Sequence, residues 1–274
     1  NKAVAMTTLV RTAALLLAFA AATSAQVSVI GDLSQMKEAR PGETYEGIIL
    51  VKNDTPEIQE AKVYQHDYSF HFSGTNTYGE PGSLPRSNAR WVVFSPAFVT
   101  LPPNATVAVN FSVTVPRDTT GALRGSYWSM LMVEGVRRGS AESSVPGRQR
   151  TEMGISQTIR YGIQIATSIA GTGAPNVRFI DSKLLKKEDG SRVLQVDIEN
   201  SGDRTMRPDA YVELFDEYGL SRGRFSTPVY RLYPGTSVRY VFDISSAPTG
   251  TFKALVVVDA GGDEAFAAQY TLQL

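Results

Sequence analysis

One uninterrupted alternation of apolar and polar residues, from Met153 to Ile169, constrains this chain more than any other feature. Seven of its nine odd positions are large and apolar, and none of its eight even positions is. A period of two is typical of a β-strand with one buried face. At about 3.3 Å per residue the strand would be about 55 Å long, whereas most strands have about 5–6 residues. The pattern predicts a strand that bends into a second domain or leaves part of its apolar row open to a partner.

The rest of the chain also reads as strands separated by turns. Residues 107–115 alternate apolar with polar, and Glu188-Asp189-Gly190 is a hairpin signal before a further apolar run. No segment after residue 25 has the pattern of an amphipathic helix. Short strands divided by Gly, Pro and Asn turns are typical of β-sandwiches. The predicted fold class is therefore all-β.

An internal repeat predicts two similar domains. Leu101-Pro102-Pro103-Asn104 opens a block of turn, strand, connection and strand, and Leu232-Tyr233-Pro234-Gly235 opens a second such block 131 residues later. Two copies of one supersecondary pattern indicate a tandem arrangement. The Gly- and Pro-containing residues 171–175 read as a linker. We expect two immunoglobulin-like β-sandwiches, at residues 26–170 and 176–274.

The first 25 residues resemble a secretory signal. Arg11 precedes an apolar run from Ala13 to Ala22, and Thr23-Ser24-Ala25 supplies the small residues of a cleavage site. The alternative is a membrane anchor, but the run is short for a membrane span. We expect cleavage after Ala25 and no integral membrane segment in the mature chain. The protein would then be exported, to the periplasm in the first instance, with the cell surface or the extracellular space as alternatives.

The composition excludes several kinds of chemistry. The chain has no Cys, and its 27 basic residues balance its 27 acidic ones, so neither thiol chemistry nor nucleic-acid binding is expected. His66 and His71 are five positions apart on a predicted strand, where they would point to opposite faces. We predict no metal, no cofactor, no catalytic residue and no enzymatic activity. A hydrolase with paired carboxylates stays open as a weaker alternative.

A second stretch suggests contact with another protein. In the run from Gly125 to Gly135, Trp128, Met130 and Met132 form one face and apolar residues also form the other. Two Met beside a Trp make an adaptable contact surface, so this face is a candidate apolar contact face. The alternative is burial by loops or by the second domain, because Met and aromatic residues usually fill cores.

Residues 90–170 resemble the PapD-like periplasmic pilus chaperones. The resemblance rests on Val93-Phe94-Ser95-Pro96, on Phe98-Val99-Thr100-Leu101-Pro102-Pro103, on the alternating strand to Val115-Pro116, and on Ser126-Tyr127-Trp128. It implies an N-terminal PapD-like domain whose long strand completes the sheet of an incomplete subunit by strand addition. Ile155, Ile159, Tyr161 and Ile163 would be the subunit-binding residues, and Arg160 would help to hold the subunit's C-terminal carboxylate in the cleft between the domains.

A second resemblance is to the immunoglobulin-like pairs of bacterial cell-surface proteins. Arg40-Pro41-Gly42-Glu43 and Val51-Lys52-Asn53-Asp54 carry it. The first hypothesis is thus an exported chaperone or assembly factor that binds a protein subunit of a surface structure. The alternative is a structural or adhesive component of the cell envelope that binds glycan or a neighbouring envelope protein.

Overall fold

The computed structural model of the chain describes residues 26–146 and 158–274. Within these ranges the regular structure consists of seventeen β-strands and one short 3-10 turn, Ala89–Trp91. No helix in this part of the chain is long and apolar enough to cross a membrane. The strands form four sheets that pair into two sandwiches, which confirms the predicted fold class: all-β, with two immunoglobulin-like sandwiches in tandem.

In the first sandwich, two sheets whose strands pair mostly antiparallel pack face to face. Sheet A has, in spatial order, β1 (Val27–Ile30), β3 (Thr44–Asn53), β8 (Thr106–Thr114) and β6 (Val92–Ser95). Sheet B has β2 (Ser34–Ala39), β10 (Arg160–Ile169), β9 (Ser126–Val136), β4 (Gln59–Phe70) and β5 (Asn76–Gly79), and β7 (Phe98–Leu101) also pairs with β4. Of the predicted long strand, residues 158–169 are described, and ten of them, Arg160–Ile169, form β10.

The second sandwich has the same layered plan. One sheet has the order β11 (Val177–Lys186), β12 (Arg192–Asn200), β15 (Ser237–Asp243). The other has the order β14 (Ser221–Ser226), β13 (Asp209–Phe215), β16 (Thr251–Asp259), β17 (Ala265–Gln273). Its core contains the fully buried rings of Tyr240 and Phe242 from β15.

Inward-facing alternate residues of both sheets make the core of the first sandwich. On β3, Ile49 and Val51 are buried while Ile48 and Leu50 face outward. On β10, Ile163 and Ile165 are fully buried in the same core. The period of two in the sequence therefore sets which half of each strand is removed from water.

The chain crosses from sheet A to sheet B immediately after its first strand. Ile30 is the last residue of β1 and pairs with Leu50 of β3. Ser34, the first residue of β2, pairs in parallel with Gln164 of β10. Gly31 makes the crossing with a positive φ of 98°, a conformation that glycine adopts without steric cost.

The two sandwiches contact each other through β9 and through two loops of the second sandwich. Ser126 N donates to Asp203 O at 2.8 Å, and Asp203 O also occupies the space that a side chain at Gly125 would need. The Trp128 ring stacks on the Tyr233 ring with 4.6 Å between the centroids and 13° between the planes. Tyr233 is fully buried, so the second sandwich closes over part of the outer face of sheet B.

Candidate functional site

Only part of the outer edge of β10 is covered. Gln164 N donates to Leu33 O at 2.8 Å, and from Gln164 to Ile169 the strand pairs with β2. Backbone groups of alternate residues point to the same side of a strand, so those of Gly162 and Arg160 face this edge as well. No strand of the described residues pairs with β10 there. We call this stretch, Arg160–Ile163 on the β2 side, the free edge; its donors and acceptors can pair with an added strand.

An apolar groove of about 280 Å³ lies beside the free edge. It is lined by Val29, Ile30, Gly31, Asp32, Gln35, Ile48, Ile49, Leu50 and Ile163. Among these, Ile30 is 46% exposed, Ile48 55% and Leu50 38%. Leu33, in the crossing segment, is 44% exposed. Large apolar side chains gathered in the open are typical of interaction sites.

The groove follows from where β1 stops. Because β1 pairs with β3 only over Leu50–Asn53, the earlier half of β3 has β8 on one side and no described strand on the β1 side. The side chain of Gln35, on β2, partly fills this gap, and its Nε2 donates to Ile48 O at 3.1 Å. The remaining space between the end of β1 and the start of β2 is the groove.

The structure separates the predicted subunit-binding residues. Ile163 is fully buried and packs in the core, with one side forming the floor of the groove. Tyr161 is half-buried against the same core, and Ile159 is 38% exposed. Ile155 lies outside the described residues. β1 and β3 cover Ile163 on its core side, and its role in subunit binding, like those of Ile159 and Tyr161, stays a prediction.

Arg160 begins β10, four residues before Gln164, whose side chain accepts a hydrogen bond from Tyr233 of the second sandwich. Its Nε is 2.9 Å from Glu134 Oε2. Tyr64 donates to the same carboxylate oxygen at 2.6 Å. A carboxylate of the chain itself therefore neutralises Arg160, and its role as an anchor for a subunit's C-terminal carboxylate stays a prediction.

Burial and charge act in opposite directions on Glu134. Burial alone would raise the pKa of its carboxyl group, but the hydrogen bond from Tyr64 and the positive charges of Lys62 and Arg160 outweigh burial and lower it. Burial, together with the hydrogen bond to Glu134, raises the pKa of Tyr64 to about 12. These contacts link the Arg160 side chain, at the start of β10, to Glu134 on β9 and to Tyr64 on β4.

The candidate apolar contact face is closed inside the molecule. Trp128 is 4% exposed, Met130 5% and Met132 7%. Tyr233 of the second sandwich covers Trp128, whose Nε1 donates to Tyr68 O at 2.6 Å. The expectation of an open face here is corrected, because all three side chains are buried and the second sandwich covers Trp128.

The exposed residues of the groove were missed by sequence reasoning. Ile48, Ile49, Leu50 and Val51 form an unbroken apolar run on β3, and a strand that is apolar on both faces either has both faces covered or presents one to a partner. The sequence carries this signal at residues 48–51 as well as in the run from Gly125 to Gly135.

Other chemistry is scarce in the described part of the chain. His66 Nδ1 is 3.1 Å from Gly79 O, and His71 Nδ1 is 2.9 Å from Ser73 Oγ, so each histidine has a local partner. Within residues 26–146 and 158–274, no three His, Asp or Glu side chains come together as ligands of a metal ion. The feature of this region that can act on another molecule is the free edge with its groove.

Comparison with known proteins gives a likeness of structure. No family model and no curated protein matches the sequence. Among solved structures, the class 5 fimbriae chaperone CfaA is 15% identical, with a TM-score of 0.46 over 89% of this chain and 98% of its own. The CsuC–CsuE chaperone–tip adhesion subunit complex of Acinetobacter baumannii is 12% identical, with a TM-score of 0.45 over 88% of this chain and 97% of its own. The Salmonella enterica SafA pilin–SafB chaperone complex is 12% identical, with a TM-score of 0.44 over 92% of this chain and 99% of its own.

Proposed function

We propose that this chain is an exported assembly chaperone that binds a protein subunit of a surface structure by adding a strand of that subunit to the free edge of β10. The observation that carries the proposal is the free edge itself, with an apolar groove beside it. Strand addition takes its affinity from main-chain hydrogen bonds and its specificity from pockets for alternate side chains. The free edge supplies the first and the groove supplies the second.

The partner that fits this site is a chain with an unpaired apolar strand. Such a strand would pair with the backbone groups of Arg160 and Gly162 and place alternate side chains against Ile30, Ile48 and Leu50. A strand that alternates apolar with polar residues would bury its apolar half in this way. An incomplete β-sandwich subunit has such a strand, and the secretory signal predicted for residues 1–25 would bring the chaperone to the periplasm, where such subunits are assembled.

Two substitutions at Arg160 test the main-chain part of the proposal. Arg160→Pro removes an N–H that faces the free edge, whereas the pairing with β9 uses the groups of the odd residues. Arg160→Ala keeps that N–H and removes only the side chain. We expect Arg160→Pro to reduce capture of the subunit about threefold to tenfold, because one main-chain hydrogen bond is lost. Arg160→Ala should leave capture unchanged.

A second pair of variants tests the groove. Ile48→Asp puts a charge beside the free edge, and Val93→Asp puts one on the opposite margin of sheet A, where Val93 is 68% exposed. Only Ile48→Asp should reduce capture, since a buried unpaired charge is costly. The readout is crosslinking in the native host, identification of the captured protein by mass spectrometry, and quantification for all four variants.

The outcomes are distinct. The proposal is supported if the captured protein is a β-sandwich that lacks a strand and if only Arg160→Pro and Ile48→Asp lose it. Equal capture by all four variants would overturn it. Sedimentation of all four with isolated wall material would favour a structural or adhesive envelope component.

A further inference from the structure

The last strand of the second sandwich, β17, is an edge strand with nine residues. It pairs with β16 on one side, and no described strand pairs with it on the other. Gly250 and Leu274 exchange two backbone hydrogen bonds at its end, so the even residues of β17 point to β16. The N–H and C=O groups of the odd residues, Ala265 to Gln273, therefore point outward, and the odd side chains are exposed.

β17 lacks the features that protect the other edges of this protein. β14 has Arg222 and Arg224 and a register shift on its partner strand. β11 has a bulge between Phe179 and Asp181 and carries several charged residues. The edge strands β1, β5 and β6 have four residues each. Short length, charges and bulges prevent edge pairing in native proteins. The nine residues of β17 include no charge and no proline.

The sequence of β17 is complementary to itself when it is reversed about Gln269. Antiparallel pairing centred there places Phe266 opposite Leu272 and Ala268 opposite Tyr270 on the core side. On the exposed side, Ala267 faces Thr271 and Gln269 faces its own copy. Apolar residues meet apolar residues, small residues meet larger ones, and no like charges meet. The five odd residues of each strand would exchange about ten main-chain hydrogen bonds.

We infer that β17 is a homodimerisation edge and that it pairs antiparallel with β17 of a second copy of this chain. The two four-stranded sheets would join into one sheet of eight strands, with the two-fold axis at Gln269. A second copy is the occupant because the register is self-complementary and because the uncharged strand creates no repulsion against itself. This inference is independent of the proposed function, which uses the first sandwich.

The position of Gln269 on the axis makes a sharp test. Gln269→Lys places two lysines directly opposite each other in the dimer, and Gln269→Asp places two carboxylates there. Each variant should sediment as a monomer at concentrations where the parent chain sediments as a dimer. An equimolar mixture of the two variants should restore the dimer, because opposite charges then face each other. Ser226→Lys, on the exposed side of β14, is the matched control and should leave the dimer intact.

A second measurement does not depend on charge. The chain has no Cys, so Gln269→Cys creates a single thiol. A short bismaleimide should crosslink this variant to a dimer, whereas the same reagent should leave Ser226→Cys monomeric. A parent chain that stays monomeric up to about 0.1 mM would overturn the inference, since specific pairing of this kind should be visible at that concentration. A dimer that survives both single charge variants would overturn it equally.

Discussion

The two halves of β10 differ in what surrounds them, although both belong to one strand. From Gln164 to Ile169 it has β9 on one side and β2 on the other, and Ile165, Ala166 and Thr167 are fully buried. From Arg160 to Ile163 it has β9 alone, and Arg160 is exposed. Inward-facing side chains of both halves, Ile163 and Ile165, lie in the protein's own core. The halves differ at the edge of the strand, because only the half from Arg160 to Ile163 presents a sheet edge beside exposed apolar side chains.

This difference shows how one periodic pattern can serve two purposes. The same alternation of Ile with polar residues continues through both halves, so the pattern does not distinguish them. The covering strand does: β2 starts at Ser34 and reaches back only to Gln164. The length of β2, rather than anything within β10, fixes where the protein's own sheet stops and the free edge begins.

The largest expected effect comes from making the same substitution in the covered half of β10 and just before its uncovered half. Ile165→Ala should lower the free energy of unfolding of the first sandwich by about 2–5 kcal/mol, because Ile165 is fully buried in the core. Ile159→Ala, just before the strand, should cost less than about 1 kcal/mol, because Ile159 is 38% exposed. Urea unfolding followed by circular dichroism measures both. Equal losses would show that Ile159 is buried as deeply as Ile165.

A smaller effect is expected at the boundary between the halves. Burial raises the pKa of Tyr233 to about 12, so its hydroxyl stays protonated and donates to Gln164 Oε1 at 2.8 Å. Tyr233→Phe keeps the ring stacked on Trp128 but removes this bond, at a cost of about 0.5–1.5 kcal/mol in thermal or urea unfolding. Tyr230→Phe is the control, since the Tyr230 hydroxyl has no hydrogen bond to the described residues. Equal costs would argue against a role for the Gln164 contact.

The smallest expected effect is a pH dependence of stability at Glu134, which pairs with Arg160 in the half of β10 that β2 does not cover. The pKa of Glu134 is lowered in the folded state, so its contribution to stability is present above the unfolded pKa of about 4.3 and is lost as the pH falls through the folded value. Glu134→Gln should therefore lower stability at pH 7, by less than about 1 kcal/mol, and should make no difference in strong acid. Glu46→Gln, at an exposed position on β3, should change neither. A Glu134→Gln penalty that persists in acid would contradict this account.

Local pattern was enough to predict the class of fold. The alternation at residues 107–115 predicted β8, and Glu188-Asp189-Gly190 predicted the hairpin between β11 and β12, in which Gly190 has a φ of 83°. The repeat of Leu101 and Leu232 predicted two similar sandwiches. These signals work because side-chain period and turn chemistry are properties of short segments.

The site could not be predicted in the same way because long-range partners create it. Ile163 is buried by residues of β1 and β3, more than a hundred positions away. Tyr233 of the second sandwich covers Trp128 of the first. Nothing in the sequence around Tyr233 indicates that its ring packs against the first sandwich. Arg160 is neutralised by Glu134 across a strand pair whose register follows from the whole sheet. Periodicity identifies a face of a strand but not the group that covers it.

The stacking of Trp128 on Tyr233 gives the protein a built-in optical reporter. The chain has two tryptophans, and only Trp128 lies against the second sandwich, with its ring nearly parallel to that of Tyr233. Any opening between the sandwiches would separate the two rings and admit water to the indole, which shifts tryptophan emission to longer wavelength. With Trp91 replaced by Phe, the emission spectrum of a single residue would follow the angle between the two halves of the molecule while a partner binds.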